Sequence, residues 1–251
     1  MKKLKVISID FWNTLFDSQE GAMRNSARWK VLISTLEDLN VQFNSKDLDN
    51  VVKKSWNYYY KVWDEEWRTP NAREIIDFIW LEMEFEYNPQ AVDYLVNFFE
   101  RSLLYSPPNL LPGAKQALIN LSSKYKLAIV SDTGFSPGRI ACELMEEVGI
   151  LQYFSAFSFS DETGVAKPHK LAFEKILDDL DCKPQEALHI GDIERTDIAG
   201  ALSVGMRAIK FEGDPTTLLA QEKTNETEAE FTAKNWGEVE EYLIKEYNLQ
   251  M

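Results

Sequence analysis

The sequence predicts an α/β fold, in which helices cover both faces of a parallel sheet and an all-α unit interrupts the chain after the first strand. Two observations carry that prediction. Short β-branched apolar runs alternate with helical periodicity along most of the chain. Between residues 17 and 106 the strand signal gives way to four helical patterns in succession.

The first predicted strand is Leu4–Asp10, an apolar run that ends in one carboxylate, Asp10, within VISIDFWNTLFD. Helices are then expected over Ser18–Leu39, Ser45–Trp67, Pro70–Tyr87 and Pro89–Tyr105. Met23, Ala27, Leu32 and Leu36 set the apolar stripe of the first, and Leu48, Val52, Trp56, Tyr59 and Trp63 that of the second. Asn88-Pro89 is a strong start signal for the fourth, and Ser106-Pro107-Pro108 closes the insertion. The later strands are Lys126–Ser131, Ala156–Asp161, Ala187–Asp192 and Met206–Phe211, separated by helices at Pro112–Tyr125, Ser136–Val148, Pro168–Leu180 and Thr196–Val204. Ser136-Pro137 suggests an N-cap with proline at the first helical position, and Gly149 and Gly205 stand where left-handed C-caps fall. Phe231–Tyr247 adds an edge strand and a last helix, after a loose acidic tract at Glu222–Glu230. Right-handed crossovers between such strands give a Rossmann-like sheet. The expected division is 1–16 and 107–251 for the core and 17–106 for the helical insertion.

At 251 residues, 45% hydrophobic and 12% aromatic, the chain has ample material for a core. A net charge of −14 disfavours nucleic acid and anionic membranes, so an anionic substrate needs a locally positive site. Two cysteines, Cys142 and Cys182, make neither a disulfide framework nor a four-ligand zinc site, which points to the cytoplasm. Five of the seven tryptophans lie in the insertion, and the aromatic residues Trp56, Tyr58, Tyr59, Tyr60, Trp63 and Trp67 cover every face of one helix. They cannot all point inward, so some are candidates for a substrate lid.

Ligands of an open parallel sheet bind beyond the carboxyl ends of its strands. Asp10, Ser131, Lys167 and Asp192 all fall at those ends. With only His169 and His189 available, a Ser-His-Asp triad or a histidine-rich metal site is poorly supplied, and His189 is expected to be a satisfied core residue. Arg24, Arg28 and Arg139 are possible contacts for an anion, with surface roles expected for each.

Asp10 with Thr14, then IVSDTG, GVAKP and HIGDIERTD, in that order and each after an apolar run, resemble the four motifs of the haloacid dehalogenase (HAD) superfamily. The insertion is placed like that superfamily's C1 cap. The resemblance implies a hydrolase, most simply a Mg²⁺-dependent phosphatase of small phosphate esters, monomeric or homodimeric. Asp10 would be the nucleophile, with Ser131 and Lys167 completing the catalytic set. Trp12, Thr14, Asp132 and Thr133 would bind substrate, Thr14 by fixing the loop after Asp10. The metal would be held by Asp10, the Trp12 carbonyl and Asp192, with Asp197 acting through a bound water.

Trp12 departs from the resemblance. HAD phosphatases usually carry a second aspartate at that position, which protonates the leaving oxygen, and an indole cannot exchange a proton near neutral pH. Asp17 or Glu20 would have to replace it. The superfamily's L-2-haloacid dehalogenases carry an aromatic there, so carbon attack is the alternative, although they lack the Gly-Asp pair retained here as Gly191-Asp192. A non-catalytic module binding a phosphorylated ligand is the third reading.

Overall fold

In the computed structural model, which describes residues 3–216 and 226–247, six strands form one wholly parallel sheet. β1 (Val6–Ile9) lies in the middle, with β2 (Lys126–Ser131) and β3 (Phe154–Phe159) to one side. β4 (Ala187–Gly191), β5 (Arg207–Phe211) and β6 (Phe231–Ala233) extend to the other. The order β3-β2-β1-β4-β5-β6 puts the switch point between β1 and β4, where a crevice opens beyond the strand tips. Ile9 is in register with Ile190, and the Asp10 N–H donates to the Ile190 carbonyl at 2.9 Å. Asp10 and Gly191-Asp192 therefore leave the sheet side by side.

The cap consists of α1 (Gly21–Asp38), α2 (Ser45–Glu66), α3 (Ala72–Glu82) and α4 (Pro89–Tyr105). Its core packs Leu32, Leu36, Leu48, Ile75, Ile79, Val92, Leu95 and Phe99 together with Phe135, a residue of the sheet domain. The Asn88 side chain accepts from Ala91 N–H and Pro89 opens α4, as its sequence signals. α3 stops at Glu82, short of the expected Tyr87, and Glu84 takes a left-handed φ of 54° in the turn that follows. On α1 the stripe is shifted by one residue: Arg24, Arg28, Leu32 and Leu36 are buried, and Met23 is 57% exposed.

The remaining helices are α5 (Ala114–Ser122), α6 (Gly138–Glu147), α7 (Ser160–Thr163), α8 (Lys170–Asp179), α9 (Ala199–Ser203) and α10 (Trp236–Tyr247). Ile7 and Ile9 pack on one face of the sheet with α5, α6 and α10, and Val6, Ala128 and Val130 on the other with α8 and α9. Burial on both faces explains why the strands read as apolar runs rather than alternating ones. Gly149 and Gly205 take the expected left-handed φ, 68° and 84°.

The Ser136 expectation fails. Pro137 is the N-cap of α6, and the buried Ser136 hydroxyl has no partner. The third strand ends at Phe159, and residues 160–163 turn directly into α7. A π-helical turn at Glu194–Ile198 precedes α9 where a regular helix was expected. Of the acidic tract, residues 222–225 lie outside the described residues. Among the described residues no helix is long and apolar enough to cross a membrane.

Candidate active site

The floor of the crevice is assembled from single residues at strand tips. Lys167 Nζ donates to Asp10 Oδ1 at 2.5 Å and to Asp197 Oδ1 at 2.6 Å, and all three side chains are buried. One carboxylate oxygen each from Asp10, Asp192 and Asp197 lies within 4.8 Å of the others. Asp192 accepts from Asn13 Nδ2 at 3.1 Å, and Asn13, held at a left-handed φ of 56°, accepts from the Ser18 hydroxyl.

Asp197 is the anchor of this floor. Its Oδ1 also accepts from His189 Nε2 at 3.0 Å, and its Oδ2 accepts from Ile193 N–H at 3.0 Å and Thr196 Oγ1 at 3.3 Å. Four donors converge on this one carboxylate, and its bond to Nζ fixes where the Lys167 ammonium points. His189, fully buried, donates to Asp197 and accepts from the Ser8 hydroxyl at 2.8 Å, which extends the expected core role into support of the site. Gly191 leaves room for this arrangement, since a Cβ there would lie 2.4 Å from Asp197 Cγ.

The charges are not balanced. Burial, opposed by Lys167 and reinforced by Asp197, pushes the Asp10 carboxyl up to about 7. Burial and then repulsion from Asp10 and Asp197 raise Asp192 well above the usual carboxylate range. Burial would raise Asp197 too, but Lys167 and His189 outweigh it and hold it low. Burial would lower Lys167, yet Asp10, Asp197 and Asp132 outweigh it and keep the ammonium charged. Four acids face one lysine. An all-oxygen donor set with excess negative charge suits a hard divalent cation such as Mg²⁺.

The structure separates the other expected residues. Asp132 joins the cavity, with Oδ1 accepting from the Lys167 backbone N–H at 2.8 Å and Oδ2 from Trp63 Nε1 at 2.9 Å. Trp12 also lines it. Ser131 ends β2 but is 4% exposed and does not line the cavity. Thr133 is turned away, its hydroxyl engaged with Ser160 and Asp161. The Thr14 hydroxyl has no partner, so it does not fix the loop; backbone bonds from Leu15 and Phe16 to Phe11 O do, and Thr14 O accepts from Trp236 Nε1. Asp17 and Glu20 are absent from the cavity lining, and the Asp17 carboxylate is taken by Asn109.

The cavity, about 500 Å³, continues into the cap. Trp56, Tyr59, Tyr60 and Trp63 of α2 face it, whereas Tyr58 stacks on Phe78 at 5.2 Å. Trp56 and Tyr59 also pack against Phe135 in the cap core, so the helix turns part of its aromatic surface to the cavity and part to the core. Arg24 and Arg28, expected at the surface, are 5% and 7% exposed and line the cavity; Arg139 is exposed and paired with Glu100. The signal for the two arginines was present: they continue the Leu32/Leu36 stripe at four-residue spacing.

A family model described as haloacid dehalogenase-like hydrolase matches residues 4–205. The chain belongs to that family. A glyceraldehyde 3-phosphate phosphatase of Pyrococcus abyssi is 32% identical to this hydrolase over 212 residues, 83% of this chain and 81% of that one. A 2-haloacid dehalogenase from Pseudomonas syringae pv. tomato DC3000 has the same fold, with a TM-score of 0.68 at 18% identity, covering 96% of this chain and 99% of that one. So does a HAD phosphatase from Thermococcus onnurineus, at 0.66 and 18%, covering 96% and 98%. The fold is common to phosphorus and carbon chemistry, so the choice between them rests on the site.

Proposed function

We propose that this hydrolase is a phosphatase of small phosphate monoesters, with Asp10 as nucleophile and Mg²⁺ as cofactor. The observation that carries the reading is the floor itself: Lys167 held 2.5 Å from Asp10, in a group of acids that includes Asp192. The relative named as a phosphatase supports it. The two free cysteines fit the cytoplasm.

An Asp10 oxygen attacks phosphorus, the bond to the leaving oxygen breaks with its electron pair, and an aspartyl phosphate forms. Water then attacks phosphorus, which releases inorganic phosphate and restores the carboxylate. Lys167 places its ammonium against the charge that builds on the phosphoryl oxygens, and Asp197 fixes where that ammonium points. Bound Mg²⁺ would lend further positive charge at the same place, held by Asp10, Asp192 and the Trp12 carbonyl. Backbone N–H groups in the loops that follow Asp10 and Ser131 would orient the phosphoryl group.

Trp12 supplies no proton to the leaving oxygen, and general acid help is typically worth ~10²–10⁴-fold. Esters with good leaving groups should therefore be preferred, and Trp12→Asp should raise hydrolysis of alkyl phosphates by about 10²-fold. The aromatic at this position favours a second reading, in which Asp10 attacks the carbon of a 2-haloacid. Mg²⁺-dependent release of p-nitrophenol from p-nitrophenyl phosphate supports the first. Halide release from 2-chloropropionate without metal, and no p-nitrophenol, would replace it with the second. Neither product, with ligand-dependent thermal stabilisation, would leave a binding role.

A further inference from the structure

The phosphoryl chemistry leaves one feature of the cavity unused: two buried cations on α1. Arg24 and Arg28 are one helical turn apart and line the same space as Asp10 and Lys167. Neither forms an ion pair among the described residues. Asp17 and Glu20 act on Arg24 only from a distance. Burial, and then the Arg24 charge, push Arg28 down to about 9. Two neighbouring positive charges in a desolvated wall repel each other, and no carboxylate among the described residues pairs with either.

Their hydrogen bonds are also incomplete. Arg24 Nη1 donates to the Ser106 carbonyl at 2.9 Å. Arg28 donates from Nε to Ser102 Oγ and from Nη1 to Asn25 Oδ1, each at 2.8 Å. A guanidinium has five N–H donors, so both keep donors with no protein acceptor among the described residues. Those contacts and two aromatic faces hold the groups in place: Arg24 lies 5.2 Å from the Trp12 ring centroid and Arg28 4.6 Å from that of Phe135. A preorganised, unpaired guanidinium pair is matched to a carboxylate or a phosphate, which can take two N–H bonds at once.

Position supplies the rest. Trp12 is two residues from the nucleophile, at most ~7.6 Å between Cα atoms, and Arg24 lies on its ring. An anion held by the arginines therefore shares one cavity with a phosphorus at Asp10. We propose that Arg24 and Arg28 form a subsite for a second anionic group, carboxylate or phosphate, carried on the leaving part of the ester. The proposal rests on the phosphatase reading and narrows its substrate class.

The test compares three esters with Mg²⁺: 3-phosphoglycerate, propane-1,3-diol bisphosphate and, with no second anion, glycerol 3-phosphate. The wild-type kcat/KM should favour at least one of the first two over the third by roughly 10- to 100-fold, the worth of a charged hydrogen bond, and the favoured one identifies the anion. In Arg24→Gln and Arg28→Gln that ratio should fall towards one. A purely structural role would lower all three rates together and keep the ratio. The same ratio is read in binding, by titrating the esters into Asp10→Asn protein with and without Arg24→Gln. If the wild type hydrolyses none of the esters, the phosphatase reading fails, and the subsite stands or falls on the binding ratio alone. A ratio near one in the wild-type rates, or one that survives both arginine substitutions, would overturn the subsite.

Discussion

The floor of the cavity is built from residues far apart in sequence, 10, 132, 167, 192 and 197, whereas its cap wall is built largely from two neighbouring helices. The floor is tied together by hydrogen bonds, four on Asp197 and two from the Lys167 ammonium, which joins Asp197 to Asp10. The wall side chains add ring faces to their hydrogen bonds, Arg24 over Trp12 at 5.2 Å and Arg28 over Phe135 at 4.6 Å. The floor carries excess negative charge and the wall excess positive charge. A floor fixed this tightly suits chemistry that one misplaced atom would spoil, and a wall of faces suits recognition that tolerates adjustment.

The comparison breaks most sharply at Lys167. Lys167→Met leaves Asp10 and Asp197 buried without their cation, which should cost about 3–5 kcal/mol of stability and at least ~10³-fold in kcat. Thermal unfolding and p-nitrophenyl phosphate turnover measure both. Gly191→Ala comes next, because the new Cβ must displace Asp197 and so the lysine it positions. A loss of about 10²-fold in kcat and ~1–3 kcal/mol is expected, with the phosphate and metal ligands all still present.

Substitutions in the wall should do less. Trp63→Phe removes the indole N–H that joins α2 to Asp132 and keeps the ring under Arg195. KM should rise about tenfold with kcat within about threefold. The smallest effect sharpens the charge argument. The Asp10 carboxyl is raised from 3.8 to about 7, so its stabilising contribution is complete below 3.8 and is lost as pH rises to about 7. In chelator, Asp10→Asn should therefore melt several degrees above the wild type at pH 8, and the gap should close towards pH 4.

The same contrast decides what could be read in advance. Strand tips were legible because a polar residue ending an apolar run has one place to go in a parallel sheet, and the tips of β2, β4 and β5 fell at or within one residue of expectation. The facing of α1 was not legible in that way. Arg24 and Met23 are adjacent, and it is the packing of the Leu32 and Leu36 face into the cap core that turns the arginine inward and the methionine out. Thr14 misled because its hydroxyl suits a loop, while the loop closes through its own backbone. His189 was placed in the core, but its bond to Asp197 depends on β4 and the π turn lying together, which spacing alone does not convey.

If Asp10 is the nucleophile, it carries the phosphoryl group during turnover. Mixing the protein with p-nitrophenyl phosphate and Mg²⁺, quenching in acid within the first turnover and mapping peptides by mass spectrometry tests it directly. One phosphoryl group is expected on Asp10, present with Mg²⁺ and lost on removing it. Turnover that proceeds with Asp10 unmodified, or with the phosphoryl group on another residue, would contradict it.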